Sequence, residues 1–338
     1  MRIPEELSAR VAEIGGRVPA TELKRAAKRL SDEYRAGVPA GALRAEAERL
    51  AYLMVRMPAT YMAVHSALGA ARESMPEFKP ESLVDLGAGP GTGVWAACEV
   101  FLTVQKSEAV ERDAGLVSLG RGLSEGIANG AIRETAWRNG DLRSWKPSGK
   151  YDLVVASYSL GELSAPDRKR VLLAAWEACN GVLAVVEPGT RRGFEAIAEM
   201  RDWLIVAGAK LAAPCPHGLT CPMREAGDWC HFSARLERSA KHRRLKQGEL
   251  GYEDEKFSYV VATKLPVRTP EARIVRHPMR HSGFTRLQLC TAEGLQEETV
   301  TRTQKGRYRE AKRAEWGSGW GRAEEQGSRR TSEEPKIG

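Results

Sequence analysis

Ser82-Leu83-Val84-Asp85-Leu86-Gly87-Ala88-Gly89-Pro90-Gly91-Thr92-Gly93 is the stretch on which the reading of this chain turns. Leu83 and Val84 lead into an acidic–glycine turn, and Val94-Trp95-Ala96-Ala97 opens a helical pattern behind it. The segment reads as a buried strand, a tight loop and a helix N-terminus. Such a loop lets backbone N–H groups approach a polar ligand, because glycine has no Cβ in the way. The dinucleotide fingerprint G-x-G-x-x-G requires glycine at position 92, where Thr92 stands, so the pattern is D-x-G-x-G-x-G instead. An ordinary strand-to-helix loop is the plainer alternative. The acidic residue, the glycines and the strand before them together favour a ligand loop.

Around this stretch the sequence alternates strand and helix. Strands are predicted at Ser82–Leu86, Glu108–Glu111, Thr135–Trp137, Leu153–Ala156 and Val182–Val186, and helices at Val94–Leu102, Leu116–Gly126 and Ala165–Cys179. This is a βαβ series with buried parallel strands, in which ligands bind beyond the strand C-termini. Before it, residues 1–79 read as a helical cap. Ala20–Arg35 places Leu23, Ala26, Ala27 and Leu30 on one face, Ala40–Met57 is a second helix that Pro58 breaks, and Ala59–Arg72 is a third.

The glycine loop resembles the first motif of S-adenosylmethionine (SAM)-dependent methyltransferases. The expected fold is therefore α/β: a Rossmann-like class I methyltransferase sheet over residues 80–207. The resemblance implies that Asp85 and the Gly87, Ala88, Gly89 and Gly91 turn hold the methionine end of SAM. Glu111, ending the second strand, takes the ribose hydroxyls, with Asp113 as a rival. Asp141 follows the third strand, where methyltransferases bind the adenine amino group. Ser157, in Ser157-Tyr158-Ser159 after the fourth strand, lies where substrate and methyl meet. Glu187-Pro188-Gly189-Thr190 follows the fifth strand and either faces the pocket or simply turns. The Asn/Asp-Pro-Pro-Tyr loop of amino-group methyltransferases does not occur after the fourth strand, so SAM binding is better supported than methyl transfer.

At 338 residues the chain exceeds the common domain size, and one large core with appendages is expected. The formal net charge of +8 suggests a polyanionic partner, nucleic acid first. No apolar run approaches the length of a membrane span. The opening Met1-Arg2-Ile3-Pro4-Glu5-Glu6-Leu7 carries acids early, unlike a secretory signal or an Arg/Ser-rich transit peptide, so the reading is cytoplasmic, without membrane contact and monomeric when free.

In such a compartment the six cysteines are more readily ligands or buried thiols than disulfides. Cys98 and Cys179 fall in helical, apolar surroundings and read as packing residues. Cys215, Cys221 and Cys230 sit in a Pro-, Gly- and Trp-rich loop with His217 and His231, and Cys290 follows much later. A metal site is the favoured reading. The spacings lack paired C-x-x-C knuckles; four thiolates suit a [4Fe–4S] cluster, and zinc on cysteine and histidine is the alternative. Residues 208–256 are thus expected to be a cysteine-rich metal-binding insertion. Taking residues 192–210 as a returning helix and Phe257–Thr263 as the next strand puts this loop at the end of the sheet opposite the SAM pocket.

The chain also resembles the mitochondrial small-ribosomal-subunit methyltransferase-like family, which includes methyltransferase-like protein 17 and bacterial relatives. The matching stretches are Leu50-Ala51-Tyr52 with Arg56-Met57-Pro58-Ala59-Thr60-Tyr61, the Asp85 glycine loop, Ser157–Leu163, Val186–Thr190, Cys215–Phe232, Leu250–Tyr259, Cys290-Thr291 and Trp316-Gly317. The resemblance implies a role in small-subunit assembly or rRNA modification. It also implies a [4Fe–4S] cluster on Cys215, Cys221, Cys230 and Cys290.

Two basic runs support an RNA partner, namely small-subunit rRNA or the small ribosomal subunit. Residues 235–246 and 302–313 each hold six Lys/Arg against one Glu. A charge run is usually a solvated face, but two of them favour phosphate contacts, with Tyr308 and Trp316 available to stack on bases. Residues 257–300 are read as remaining core strands or an added β unit. Residues 301–338 are read as a basic tail, disordered beyond Trp316. Two functions follow: an rRNA methyltransferase, or a non-catalytic assembly factor that uses SAM and a cluster structurally.

Overall fold

The computed structural model describes residues 3–35, 43, 45–237 and 250–325. The N-terminal layer is helical: α1 (Glu5–Ile14), α2 (Ala20–Arg35), α3 (Glu46–Ala51) and α4 (Met57–Ser74). The amphipathic face of α2 is buried as its spacing predicts, through Leu23, Ala26, Ala27 and Leu30. Part of the predicted Ala40–Met57 helix, residues 40–42 and 44, lies outside the described residues.

The predicted break at Pro58 does not occur. Proline lacks the N–H that would reach back one α-turn. The chain absorbs this in a π-turn, Tyr52–Arg56, in which the N–H of Met57 donates to the carbonyl of Tyr52. One nearly continuous rod thus runs from Glu46 to Ser74. Residues of α4 from Met57 to Ala71 are buried almost all round, as expected of a helix clamped between layers.

The chain then follows the predicted alternation. It runs β1 (Ser82–Leu86), α5 (Thr92–Val100), β2 (Lys106–Glu111), α6 (Ala114–Ser124), α7 (Gly130–Arg133), β3 (Ala136–Asn139), β4 (Tyr151–Ser157), α8 (Ala165–Ala178), β5 (Cys179–Pro188) and α9 (Arg191–Val206). After α9 come β6 (Lys210–Ala213), α10 (Pro222–Glu225), β7 (Phe232–Glu237) and β8 (Tyr252–Thr263). The strand order is β3-β2-β1-β4-β5-β8-β6, with β7 paired to the outer half of β8. Strands β1 to β5 are parallel, and β8 runs antiparallel to β5, β6 and β7. Alternate residues of each strand face opposite layers. Leu83 and Val155 join the helical N-terminal layer, while Val84 and Val154 join α8 and α9. Burying each such side chain contributes about 1.5–3 kcal/mol. Cys98 and Cys179 are packing residues in this core, as expected.

The strand β6 corrects the placement of the cysteine loop. The returning helix stops at Val206, and Lys210–Ala213 crosses the sheet again, parallel to β5. The loop that follows therefore emerges at the same end as the glycine loop. Because β6, β7 and β8 all pair into the main sheet, the insertion shrinks to residues 214–231.

The C-terminal unit is a second sheet: β9 (Arg268–Ile274), β10 (Met279–Arg280), β11 (Phe284–Thr291), β12 (Gly294–Thr301) and β13 (Gly319–Glu325), with helix α11 (Lys305–Arg313) before β13. The order is β10-β11-β9-β13, with β12 on β11. Ile274, Leu287, Leu289, Val300, Ala311 and Trp320 form its core. The expectation of disorder beyond Trp316 fails over Gly319–Glu325. Backbone pairing to β9 and the anchored Trp320, whose indole donates to Glu298 at 2.7 Å, need no apolar periodicity. The further tail, residues 326–338, lies outside the described residues. Among the described residues no helix is long and apolar enough to cross a membrane.

Candidate cofactor pocket and four-cysteine site

The glycine loop follows β1 as the sequence requires. Gly87, Gly89 and Gly91 have φ of 74°, 55° and 92°, the left-handed region that glycine alone enters cheaply. Gly93 has a different reason. A Cβ there would lie 2.6 Å from the Asp85 carboxylate, which accepts the N–H of Val94 at 3.2 Å and so ties the strand to the start of α5. Asp85 is fully buried, and its Oδ1 has no protein partner. An orphaned carboxylate oxygen under a glycine cradle suits a polar ligand or an ordered water above it.

Above the strand ends lies a cavity of about 1010 Å³. Of the predicted cofactor residues, Gly87, Gly89, Glu111, Asp141 and Ser157 line it. Asp85, Ala88 and Gly91 are not on its wall; they shape the loop from beneath. Glu111 and Asp113 both line the cavity, with different partners. The two oxygens of Glu111 accept the N–H groups of Gly89 (2.9 Å) and Asp113 (2.8 Å), which presents the carboxylate edge at the end of β2. Asp113 instead caps α6 and pairs with Arg49 at 2.8 Å. Asp141 carries Arg143 on both oxygens, and those hydrogen bonds hold it down to about 2. Glu187, Pro188 and Thr190 face the cavity rather than merely turning.

Sequence reasoning missed the other wall. Arg49, Tyr52, Arg56 and Thr60 reach in from the N-terminal rod, so the helical cap is part of the pocket. Tyr52 and Arg56 both stand just before Pro58, but only the folded arrangement shows that both reach the cavity wall. Glu162, from the loop after β4, and Arg192, in the first turn of α9, were also missed.

Two carboxyls here make folding pH-dependent. Burial pushes Asp85 up to about 7, partly opposed by the N–H groups of Gly93 and Val94. Burial likewise raises Glu187 to about 7, opposed by the N–H of Gly161. Unfolded carboxyls ionise near pH 4. Between about pH 4 and 7 the folded chain therefore holds the extra protons. The stability these groups contribute is full below about pH 4 and is lost as pH rises through about 7. Asp141 acts in the other window, losing its contribution only as pH falls through about 2. Urea melts from about pH 5 to 8 should show stability falling by at most about 1.4 kcal/mol per pH unit per group. Asp85→Asn and Glu187→Gln should each flatten that fall; unchanged slopes in both variants refute this account.

The cysteine loop packs against the same end of the sheet. Cys221, Cys230 and Cys290 share an apolar cluster with Phe194, Met223 and Val275, and Cys215 adjoins the core around α9. Burial pushes the Cys230 thiol well above its ordinary value, and Cys215, Cys221 and Cys290 add to the effect. Cys290 is raised to about 12, by burial first and then by Cys215 and Cys221. The four thiols are thus within electrostatic reach of one another, although Cys290 comes from β11 of the second sheet. Arg201, almost fully buried, donates to the carbonyls of His217 (3.1 Å) and Leu219 (2.5 Å) and stays close to Cys215. Among the described residues no group of three or more His, Cys, Asp or Glu is set to hold a single metal ion.

Trp316 is not available for base stacking. It is half-buried edge-on to His231 (4.9 Å) and His277 (4.7 Å), closing the cysteine loop against the second sheet. Tyr308 packs on the core of that sheet instead of standing free.

A family model for the mitochondrial small ribosomal subunit protein Rsm22 matches residues 46–321. The chain belongs to the Rsm22 family. The human ribosome assembly protein METTL17, which is mitochondrial, is 28% identical over 79% of this chain and 61% of its own length. The mitochondrial Rsm22-cox11 tandem protein 2 of Schizosaccharomyces pombe is 24% identical over 79% of this chain and 42% of its length. The chain thus spans about three-fifths and two-fifths of these Rsm22-type relatives. Among solved structures, magnesium protoporphyrin IX methyltransferase from Synechocystis has 12% identity and a TM-score of 0.42 over 70% of this chain and 91% of that one. The N-methyltransferase NodS from Bradyrhizobium japonicum has 8% identity and a TM-score of 0.37 over 60% and 87%. The Rossmann-like methyltransferase fold itself is carried by the strand order described above. The cytoplasmic expectation is overturned: the Rsm22 model and both relatives are described as mitochondrial.

Proposed function

We propose that this protein binds SAM in the cavity above β1 to β5 and acts on the small ribosomal subunit during its assembly, as an rRNA-directed methyltransferase-like protein. The observation that carries the reading is the glycine cradle with the orphaned Asp85 oxygen beneath a cavity edged by Glu111 and Asp141. In this reading Gly87 and Gly89 receive the methionine end on a loop that Asp85, Ala88 and Gly91 shape from beneath, Glu111 receives the ribose and Asp141 the adenine edge, with Ser157 near the methyl. SAM, when bound, supplies an electrophilic methyl group. The volume, at the upper end for small-molecule sites, leaves room beside it for an acceptor group. Membership of the Rsm22 family and the name of the human relative support a ribosomal role.

A second reading, a non-catalytic assembly factor, is favoured by one observation. The segment after β4 has no Asn/Asp-Pro-Pro-Tyr loop, and no cysteine lines the cavity among the described residues. Comparing rRNA methylation in cells with and without the gene separates the two. A missing methyl mark restored by the wild type but not by Gly87→Ala supports the enzyme; an unchanged methylation pattern leaves the factor.

In both readings Cys215, Cys221, Cys230 and Cys290 hold a [4Fe–4S] cluster, with zinc as the alternative. Support comes from their mutual electrostatic reach and from the family resemblance. Such a site would be structural, because it joins β11 to the loop after β6.

RNA contact falls to α11. Its inner face packs through Tyr308 and Ala311, and Arg307 pairs with Glu298 at 2.7 Å. Lys305, Arg309, Lys312 and Arg313 remain on the outer side, and Arg309 and Arg313 flank a groove of about 490 Å³. Of the other basic run only residues 235–237 are described, and Arg235 there is paired with Asp254 at 2.7 Å. Arg309→Ala and Arg313→Ala should each weaken RNA binding and reduce the slope of log affinity against log salt by about 0.7–0.9. Binding isotherms at several salt concentrations test this; unchanged slopes in both variants remove α11 from the RNA interface.

A further inference from the structure

Two arginines are buried beside the four-cysteine corner. Arg201 stands on α9 at helical spacing from Phe194 and Ala198, which pack in one cluster with Cys221, Cys230 and Cys290. Its Nη2 donates to the carbonyls of His217 (3.1 Å) and Leu219 (2.5 Å), so the chain between Cys215 and Cys221 is folded around the guanidinium. Its Nη1 donates to Asp202, a half-exposed carboxylate that Arg224 shares, and its buried Nε has no protein partner. The ring of His217 in turn meets Cys290, with Nε2 3.8 Å from Sγ.

Arg273 reaches the corner from the second sheet. It is the register partner of Cys290 across the β9–β11 pair, and side chains directly opposite in an antiparallel pair stand on one face about 4.5–5.5 Å apart. Its Nε donates to the carbonyl of Pro214, next to Cys215, at 2.6 Å, and its Nη1 to that of Gly317 at 2.9 Å. Arg273 is buried, and among the described residues it has no carboxylate at ion-pair distance. Carbonyls satisfy donors but bring no net charge, and a buried cation without a counter-charge is strongly unfavourable. Two buried guanidiniums against one half-exposed carboxylate leave the corner short of negative charge. Neutral thiols do not supply it. Four ionised thiols around a doubly positive cluster core or zinc ion carry two net negative charges, which match the two guanidiniums.

We propose that Arg201 and Arg273 are the counter-cations of a four-thiolate metal centre on Cys215, Cys221, Cys230 and Cys290, Arg201 clamping the Cys215–Cys221 loop and Arg273 tying the strand of Cys290 to the start of that loop. The inference rests on the four-cysteine reading above and holds for an iron–sulfur cluster and for zinc alike, because both present the same charge. Both arginines are positioning residues: they hold the chain around the ligands and touch no metal.

The test uses the full chain purified anaerobically, as wild type and as Arg201→Gln, Arg201→Lys, Arg273→Gln and Arg273→Lys. Iron, zinc and acid-labile sulfide are counted, and each protein is challenged with bathophenanthroline for iron or EDTA for zinc. Both Gln variants should release metal at least about tenfold faster than the wild type, the scale of a lost charge-assisted contact. Both Lys variants keep the cation without the fork and should stay within about threefold of the wild type. Where the metal is iron, a lost cation disfavours the added electron, so each Gln variant should also have a lower midpoint potential, by about 59 mV for a tenfold change in a one-electron equilibrium. Metal lost equally fast from Lys and Gln variants leaves the arginines as clamps on the loop carbonyls and overturns the charge role. Wild-type release from both Gln variants, or unchanged potentials in iron-loaded ones, overturns it as well. Should the Gln variants fail to fold, the Lys variants decide: metal held as in the wild type supports the proposal, and rapid loss overturns it. Wild-type protein that holds neither metal overturns the four-cysteine reading itself, a distinguishable result.

Discussion

Gly87→Ala is expected to reduce binding of S-adenosylhomocysteine at least about a hundredfold and to lower the melting temperature by roughly 5–15 °C. Two costs combine. The backbone at Gly87 has φ of 74°, which costs a residue with a Cβ about 1–2 kcal/mol. The new Cβ would also lie 2.4 Å from the Cβ of Ser159. Ser159 cannot simply yield, since its hydroxyl donates to the Leu86 carbonyl at 2.8 Å, in the same loop. Overpacking of this kind costs about 1–3 kcal/mol, and each kcal/mol is worth about 2–4 °C in a chain of this class. Gly126→Ala is the control: its φ is 72°, but nothing lies within 4 Å of the added Cβ. It should lose about 1–2 kcal/mol and no ligand affinity. Calorimetry with thermal melts on both variants decides the matter. Retained ligand affinity in Gly87→Ala would detach the glycine loop from ligand binding.

Cys230→Ser is the second large effect. On the cluster reading it removes a ligand from a site that ties the loop after β6 to β11 of the second sheet. Binding of a metal group made only by the folded chain is folding energy, so the variant should lose its iron and melt about 10 °C or more below the wild type. Cys230 is half-buried, and its carbonyl accepts from Ser258 at 2.8 Å. A loop that lets go there also loosens β7 from β8. Iron and acid-labile sulfide assays on anaerobically purified wild type, with melts of both proteins, give the readout. Stoichiometric zinc without iron would replace the cluster with a zinc site. A variant that melts like the wild type would deny the cysteines a structural role.

The core sheet was legible because its strands are short apolar runs separated by glycine and acidic turns, and alternation at period two sends Leu83 and Val84 to opposite layers. The glycine loop was legible because positive φ restricts residue choice. Three things were not. The strand β6 is only four residues, Lys210–Ala213, too short to register against the helix before it, and missing it reversed the predicted placement of the cysteine loop. The π-turn was hidden because Pro58 is a reliable helix breaker unless one extra residue is accommodated upstream. Trp316 looked free because its partners, His231 and His277, lie far off along the chain. Local pattern reveals elements; which faces those elements offer one another depends on contacts that no local window contains.

The corner where the cysteines meet draws on distant parts of the chain. Cys215, Cys221 and Cys230 lie in one loop, Cys290 arrives sixty residues later on another sheet, and Trp316 closes the group still further on. Gly189, between Pro188 and Thr190 of the cavity wall, accepts from the Trp229 indole at 3.3 Å, which ties the wall to the same corner. A nascent chain halted before Cys290 holds every residue of the glycine loop but cannot complete this corner. The corner can therefore close only once residues of the second unit have joined the chain.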